Sequence, residues 1–480
     1  MIKQLSRLMV ILLMGITPAY TQIIELNLDK AIDLALQNNV QMQHAKEDLL
    51  KAEAQRKEAF SSALPVVSAF GQVSHSFSIA SQPLSFPVPF GVIDNNNDPV
   101  PLTDAANNRV PFTTPDGTIV PNMYLQQTGL QLVPVDLAFG NDNTMVYGLN
   151  LTQPLFEGRV IAAIRGANVY GDLAESTAEV TRLSVIEKTK QAFYQVLLAD
   201  KMTSVMENSL DVMRQNLANV KALYAQGKTA EFDVIRADVQ VANQTTMVSN
   251  ARKMRDLAYA ALKRKCGLDI GQEIRAKGDL TVIPHADLDL NRLEARMEQN
   301  QPMLDQLESN VRLMKENILM VKAEFMPSIA LTGSYQQMLP FNDGEFESAE
   351  FRESSSLGIG LNLPIFNGFG SAARVQKAKA DHRKSEYQYV DVKENLLLEL
   401  RSIYLSIQES SRKIEAGLKG VGQAHKGVDM AQRLYKQGMA SQLQVMDAQS
   451  ASDQAELGLY QAYYEYNSAQ ASLRRALGEE

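Results

Sequence analysis

The sequence predicts an α+β membrane protein. Its β-strands join those of other chains in one barrel, and long α-helical coiled coils continue that barrel. Three observations predict this class: a tandem duplication of most of the chain, short segments that alternate apolar and small polar residues, and helical stretches too long for a compact domain.

Composition sets the outer bounds. The chain has 480 residues, 45% of them hydrophobic, and a formal net charge of -8. The acidic balance and the lack of a basic stripe argue against a nucleic-acid binder. The single cysteine, Cys266, excludes a disulfide framework and any multi-cysteine metal site. At the N-terminus Lys3 and Arg7 precede the apolar run Leu8 to Ile16, followed by Thr17-Pro18-Ala19. This is the layout of an export leader, read as residues 1–22, and the run is too short to span a bilayer as a helix.

The duplication sets the next level. Pro154, Phe156 and Gly158 in "PLFEG" match Pro364, Phe366 and Gly368 in "PIFNG". "ALYAQGKTAEFDVIRAD", from Ala222, matches "RLYKQGMASQLQVMDAQ", from Arg433, and "ALKRKCG", ending at Gly267, matches "SLRRALG", ending at Gly478. The chain therefore reads as a leader, a first repeat (23–267), a linker (268–286) and a second repeat (287–480).

Each repeat begins with a helix of about 35 residues, Leu28 to Ala63 or Asp289 to Phe325, stopped by Pro65 or Pro327. A pair of alternating segments follows. Then comes a helix of about 70 residues, from near Val160 to Gln226 or from near Ala372 to Gln437, which at 1.5 Å per residue is about 100 Å long. Gly227 or Gly438 turns the chain into a return helix of about 35 residues.

The alternating segments point to the membrane. Leu357, Ile359, Leu361, Leu363 and Ile365 alternate with Ser356, Gly358, Gly360 and Asn362; Met145, Tyr147, Leu149 and Leu151 alternate with Thr144, Gly148, Asn150 and Thr152. Segments of about ten residues with one apolar and one small polar face are the signature of a transmembrane barrel. In Val67 to Phe77 the pattern is noisier, with Phe70 on the polar face. Pro154 and Pro364 are expected at strand ends, Gly158 and Gly368 at the strand-to-helix turn, and Phe156 and Phe366 at the membrane boundary. Between the first strands, residues 81–143 hold about nine of the 17 prolines and read as a long extracellular loop without periodicity.

Four strands cannot close a barrel, and open edges are not tolerated in lipid. Copies must share one barrel, and three copies supply about twelve strands, wide enough for an aqueous pore. A non-transporting trimeric stalk would leave the small polar face of the strands without a purpose.

The duplication, the two "P-[LI]-F-x-G" joints and the "Y-x-x-G" turns before "DVIRA" and "QVMDA" resemble the TolC family of outer-membrane ducts. The resemblance covers essentially the whole mature chain. It implies a homotrimer in outer-membrane lipid, with a twelve-stranded barrel, a long periplasmic α-helical barrel and an equatorial belt. The belt would include residues 267–286 and a mid-helix irregularity around Gly417, Gly420 and Gly422. It also implies a periplasmic adaptor and an inner-membrane pump, of RND or ABC type, as partners. The cargo would be drugs or other small molecules, or alternatively secreted protein. In such ducts the periplasmic tips form an iris. Here that assigns gate or adaptor-contact roles to Gly227, Asp233, Gly438, Gln444 and Asp447; Gln444 stands where a second acid is common. Local capping by Ser441–Gln444 and by Glu231 and Asp233 is the competing reading of those residues. No nucleotide loop, metal-ligand spacing or nucleophile motif occurs, so no cofactor and no catalysis are expected.

Overall fold

The computed structural model describes residues 24–91, 101, 103–113, 116–124, 128–138, 140–282, 289–344 and 346–480. The leader (1–22) and part of the linker (283–286) lie outside the described residues. Two spatial units cut across the repeats. One comprises residues 1–62, 157–327 and 363–480; the other comprises 63–156 and 328–362.

The first unit is helical. Strand β1 (Ile24–Leu26) leads into α1 (Leu28–Asn38) and α2 (Val40–Ser61). The long α3 (Gly158–Ala225) is followed by α4 (Glu231–Lys265) and the short β8 (Ile274–Ala276), which pairs parallel to β1. Next come α5 (Leu290–Asn300), α6 (Pro302–Lys322), the second long helix α7 (Gly370–Lys436) and α8 (Gln442–Ala476). The long helices have 68 and 67 residues and the return helices 35 each. The main core gathers Phe193, Val196, Leu262, Leu280, Met297, Leu400 and Tyr466 from α3, α4, α5, α7, α8 and the segment after β8.

Two expectations about the helices need correction. The first helix of each repeat is not continuous: it breaks at Asn39 and again at Gln301. Each breaking residue caps the next helix, Asn39 by accepting from the Gln41 N–H and Gln301 from the Met303 N–H. Each also donates to the end of a return helix: Asn39 Nδ2 to the Lys265 carbonyl at 2.8 Å, and Gln301 Nε2 to the Arg475 and Ala476 carbonyls at 3.0 and 2.9 Å. A side chain that caps one helix and closes another satisfies donors and acceptors that a straight helix would not expose. The second correction concerns α7, which runs unbroken through Gly417, Gly420 and Gly422. Gly417 instead lets α8 approach: a Cβ there would lie 3.1 Å from Leu459.

The second unit holds a four-stranded antiparallel sheet, in the order β10 (Arg352–Asn362), β9 (Ser328–Phe341), β7 (Asn143–Phe156), β2 (Val66–His75). The segment expected to be an unstructured loop contains strands. β3 (Ser81–Gly91) pairs with β6 (Thr128–Ala138), and β4 (Pro111–Thr113) with β5 (Ile119–Tyr124). Its prolines hid the pairing from a reading of periodicity, because proline is ordinarily excluded from a ladder.

Candidate membrane face, joints and gate

Register turns the alternation into two faces. Val67, Leu151, Gly333 and Leu357 are cross-strand neighbours on one face, and Leu331 pairs with Ile359 on the same face. Ser68, Asn150, Ser334 and Ser356 form the corresponding row on the other. Val67, Leu149, Tyr335, Leu357, Ile359 and Leu361 are all exposed in the single chain, as an apolar face turned to lipid would be. Register also explains Phe70. It pairs with Gly148, whose neighbour on the far side is Gln336, and a Cβ at Gly148 would fall 2.3 Å from the Tyr335 carbonyl oxygen. The glycine is required by the approach of β9, and an aromatic residue opposite it covers the exposed backbone. β10 and β2 each have an unpaired edge within the chain.

The two joints differ in mechanism. Pro154 lies inside β7, just before a register irregularity that ends at Phe156; Pro364 follows the end of β10. Gly158 is the first residue of α3, and a Cβ there would meet Met326 Sδ at 2.8 Å and Ala323 Cβ at 2.9 Å. Close packing, not a left-handed backbone, demands this glycine. Gly368 has φ +64° with open space around it, and Phe369, also at φ 64°, caps α7. Phe366 stacks edge-on against Phe369, both largely exposed.

The sequence reading missed a carboxylate that organises these helix starts. Glu324, in the 3₁₀ turn Ala323–Phe325, accepts from Ser371 Oγ at 2.6 Å and from Arg374 Nε at 2.9 Å, with Arg159 at 3.9 Å. Hydrogen bonds from Arg374 and Ser371 hold its carboxyl below the usual range. One acid thus gathers the first turns of both long helices, and only the fold brings those three partners together.

At the other end of the long helices, the turns are built alike. Gly227 and Gly438 have φ +71° and +74°, and each is followed by a residue whose N–H reaches back to a carbonyl five residues earlier: Lys228 to Leu223 at 3.0 Å and Met439 to Leu434 at 2.9 Å. This αL closure suits glycine. Asp233 sits in the first turn of α4 and accepts from Thr229 Oγ1 at 2.7 Å. Ser441 and Gln444 form a reciprocal capping box at the start of α8, so the Gln444 side chain is engaged locally. Asp447 is exposed one turn further on, without an ion pair among the described residues. Burial, followed by the charge of Asp233, raises the Tyr435 phenol above its ordinary value. Around them Phe232, Ile235, Met439 and Leu443 are exposed apolar residues that sequence reading did not single out.

An open four-stranded sheet with a lipid-type face, in one chain with two hairpins of very long helices, defines a class: an outer-membrane channel assembled from several copies. The model of the family described as outer membrane efflux protein matches residues 122–268 and 295–479, and the chain belongs to that family. It is 21% identical over 407 residues to "Outer membrane protein TolC" of Vibrio cholerae, covering 80% of this chain and 88% of that protein. It is 22% identical over 334 residues to "Alkaline protease secretion protein AprF" of Pseudomonas aeruginosa, covering 69% of each. Among solved structures, the Campylobacter jejuni CmeC outer membrane channel superimposes with a TM-score of 0.72 at 17% identity, over 94% of this chain and 85% of that one. The fold is that of the family's trimeric channels, and the protein belongs to the outer membrane with a periplasmic extension. Among the described residues, no group of three His, Cys, Asp or Glu side chains could hold a metal ion.

Proposed function

We propose that the protein is the outer-membrane duct of a tripartite export system. A periplasmic adaptor docks on its helical turns, and an inner-membrane pump, RND or ABC, supplies the energy. The observation that carries this reading is the combination of an unclosed, lipid-faced sheet with paired αL turns ringed by exposed apolar residues. Open edges require copies to close the barrel, and the exposed turns need a covering partner. The cargo in this reading is small molecules. Secretion of proteins is the second reading, favoured by the likeness to the alkaline protease secretion protein AprF.

The gate is assigned to Gly227, Asp233, Gly438, Gln444 and Asp447. The membrane-boundary joints are assigned to Pro154, Phe156, Gly158, Pro364, Phe366 and Gly368. Loss of the protein should sensitise cells to small toxic compounds, and Gly438→Trp should fail to restore resistance while still forming trimers by native mass measurement. Asp447→Ala should change conductance or cation block in planar bilayers. Full restoration by Gly438→Trp, together with an unchanged Asp447→Ala pore, would move the entrance away from these turns.

A further inference from the structure

The β3–β6 ladder belongs to none of the parts just assigned. It runs without irregularity from Ser81 opposite Ala138 to Gly91 opposite Thr128, which at about 3.3 Å per residue is roughly 35 Å of ribbon. It continues the β2–β7 pair at its His75–Asn143 end, since the Ser76 N–H donates to the Asp142 carbonyl at 2.7 Å across the gap. Residues 76–80 separate the two ladders on the β2 side. The base is tied down: Asn141 and the Asp142 N–H donate to Asn342 Oδ1, and Asn143 Nδ2 donates to Asp343 at 2.7 Å, in the β9–β10 turn.

The prolines then decide how the ribbon can make contacts. Pro83, Pro87 and Pro89, and Pro134 opposite Ser85, all occupy pairs of one parity. In an antiparallel ladder, alternate pairs turn their N–H groups away from the partner strand. Residues that lack an N–H must sit on those pairs, so the β3 edge of the ribbon loses three of its six outward donors, at Pro83, Pro87 and Pro89, and the β6 edge loses one, at Pro134. Its β3 edge is therefore a poor template for another strand. A lone two-stranded ribbon is marginal in water, so a cover must come to a face. On the pairs of the other parity, Leu84 stands opposite Val135, and they are 38% and 40% exposed.

Position selects the cover. The ribbon grows from β2, the edge strand that must meet the partner subunit's β10 when the barrel closes. At its root Phe77 is 96% exposed. At the same end of the sheet, on the β10 side, Phe346 and Phe351 are exposed as well. Closure brings these aromatic residues to the same subunit boundary as the ribbon.

We propose that the β3–β6 ribbon is an intersubunit clasp at the outer mouth, its Leu84–Val135 face lying on the β9–β10 turn of the next copy of this chain. The clasp rests on the trimeric barrel and adds a contact that barrel closure alone does not require. To test it, two differently tagged copies are co-expressed in a Cys266→Ser background, one carrying Val135→Cys and the other Phe346→Cys. A short bis-maleimide should give a dimer-sized product bearing both tags. Val135→Cys paired with Met439→Cys, on a helical turn, should give none. In parallel, residues 82–137 are replaced by a short Gly-Ser linker, and the thermal dissociation of the purified trimer should shift down by several degrees. A trimer by native mass that yields no doubly tagged product overturns the clasp and leaves the barrel standing, as does a linker variant that dissociates at the parent temperature. A monomer by native mass overturns both.

Discussion

The two repeats solve one packing problem in the same way and then diverge wherever they meet something other than themselves. At the helix break the solutions are twins: Asn39 with Lys265 and Gly267, Gln301 with Arg475 and Gly478. Both glycines have positive φ, and a Cβ would lie 2.5 Å from the Asn38 carbonyl oxygen at Gly267 and 2.0 Å from the Asn300 carbonyl oxygen at Gly478. At the turns the repeats part. Asp233 has Gln444 as its counterpart, Asp447 has Arg236, and the capping serine Ser441 replaces Ala230, which offers no side-chain cap. At the His75–Asn143 end of the sheet, a long ribbon in one repeat corresponds to a short turn in the other. The difference teaches that the conserved geometry of the duplication lies where a helix end must be closed by another helix. The ends exposed to membrane, solvent or partners were free to change.

The break geometry offers the largest test. Gly478→Val should abolish the folded oligomer, because both its φ and the Asn300 backbone forbid a side chain; Gly267→Val should be nearly as severe, each costing about 4 kcal/mol or more. The same change at Gly227, where nothing lies within 4 Å, should cost only the left-handed strain, about 1–2 kcal/mol. Oligomer yield and thermal dissociation measure all three. Equal losses at Gly227 and Gly478 would remove the distinction between closing and exposed glycines.

Next in size is an asymmetry between the twins. Arg475 pairs with Glu187 at 2.6 Å and also with Glu399, and the Glu187 side chain is only 12% exposed. Its counterpart Arg264 makes no such pair among the described residues. Arg475→Met should destabilise by about 3 kcal/mol by stranding Glu187, whereas Arg264→Met should stay within about 0.5 kcal/mol.

A proton-linked difference follows. Asp453 on α8 accepts from Ser209 of α3 at 2.5 Å and from Gln449 at 2.8 Å, and burial raises its carboxyl above the ordinary value despite those bonds. The corresponding α4 position is Ala242. A raised folded value means that the native state holds the proton more tightly. Stability contributed by this group is therefore present at acid pH and lost as pH rises from about 4 through the raised value. Asp453→Asn should flatten that slope and raise the melting temperature near neutral pH; a variant with an unchanged pH profile would remove Asp453 from the α3–α8 seam energetics.

The smallest effect belongs to the cap. Ser441→Ala should cost about 1 kcal/mol, and Ala230→Ser should recover a similar amount at the other turn, read by hydrogen exchange at the two helix starts.

Much of this architecture is determined by local chemistry and is legible in the sequence. Helix lengths follow from where Pro and Gly interrupt long periodic runs, and strand faces follow from period-two alternation, because both depend on residues only a few positions apart. The break at Asn39 is invisible in the sequence because its cause is remote: its amide reaches the Lys265 carbonyl at the end of another helix. The break at Gln301 has a local signal, Pro302 at the first position of the next helix, which disfavours a helical conformation in the residue before it; only the reach of Gln301 to the Arg475 and Ala476 carbonyls needs the fold. Glu324 is a similar case, an ordinary surface-type acid until Arg374, Ser371 and Arg159 converge on it. Residues 81–143 read as a loop because proline argues against a strand; only pairing register reveals that Pro83, Pro87, Pro89 and Pro134 all fall on outward-facing positions of the β3–β6 ladder. What the sequence determined by itself is which segments are helix, strand and turn, since these are set by short-range sterics and solvent. What only the tertiary structure decided is which polar groups and glycines meet across hundreds of residues, since a hydrogen bond or a close backbone approach exists only once both partners are in place.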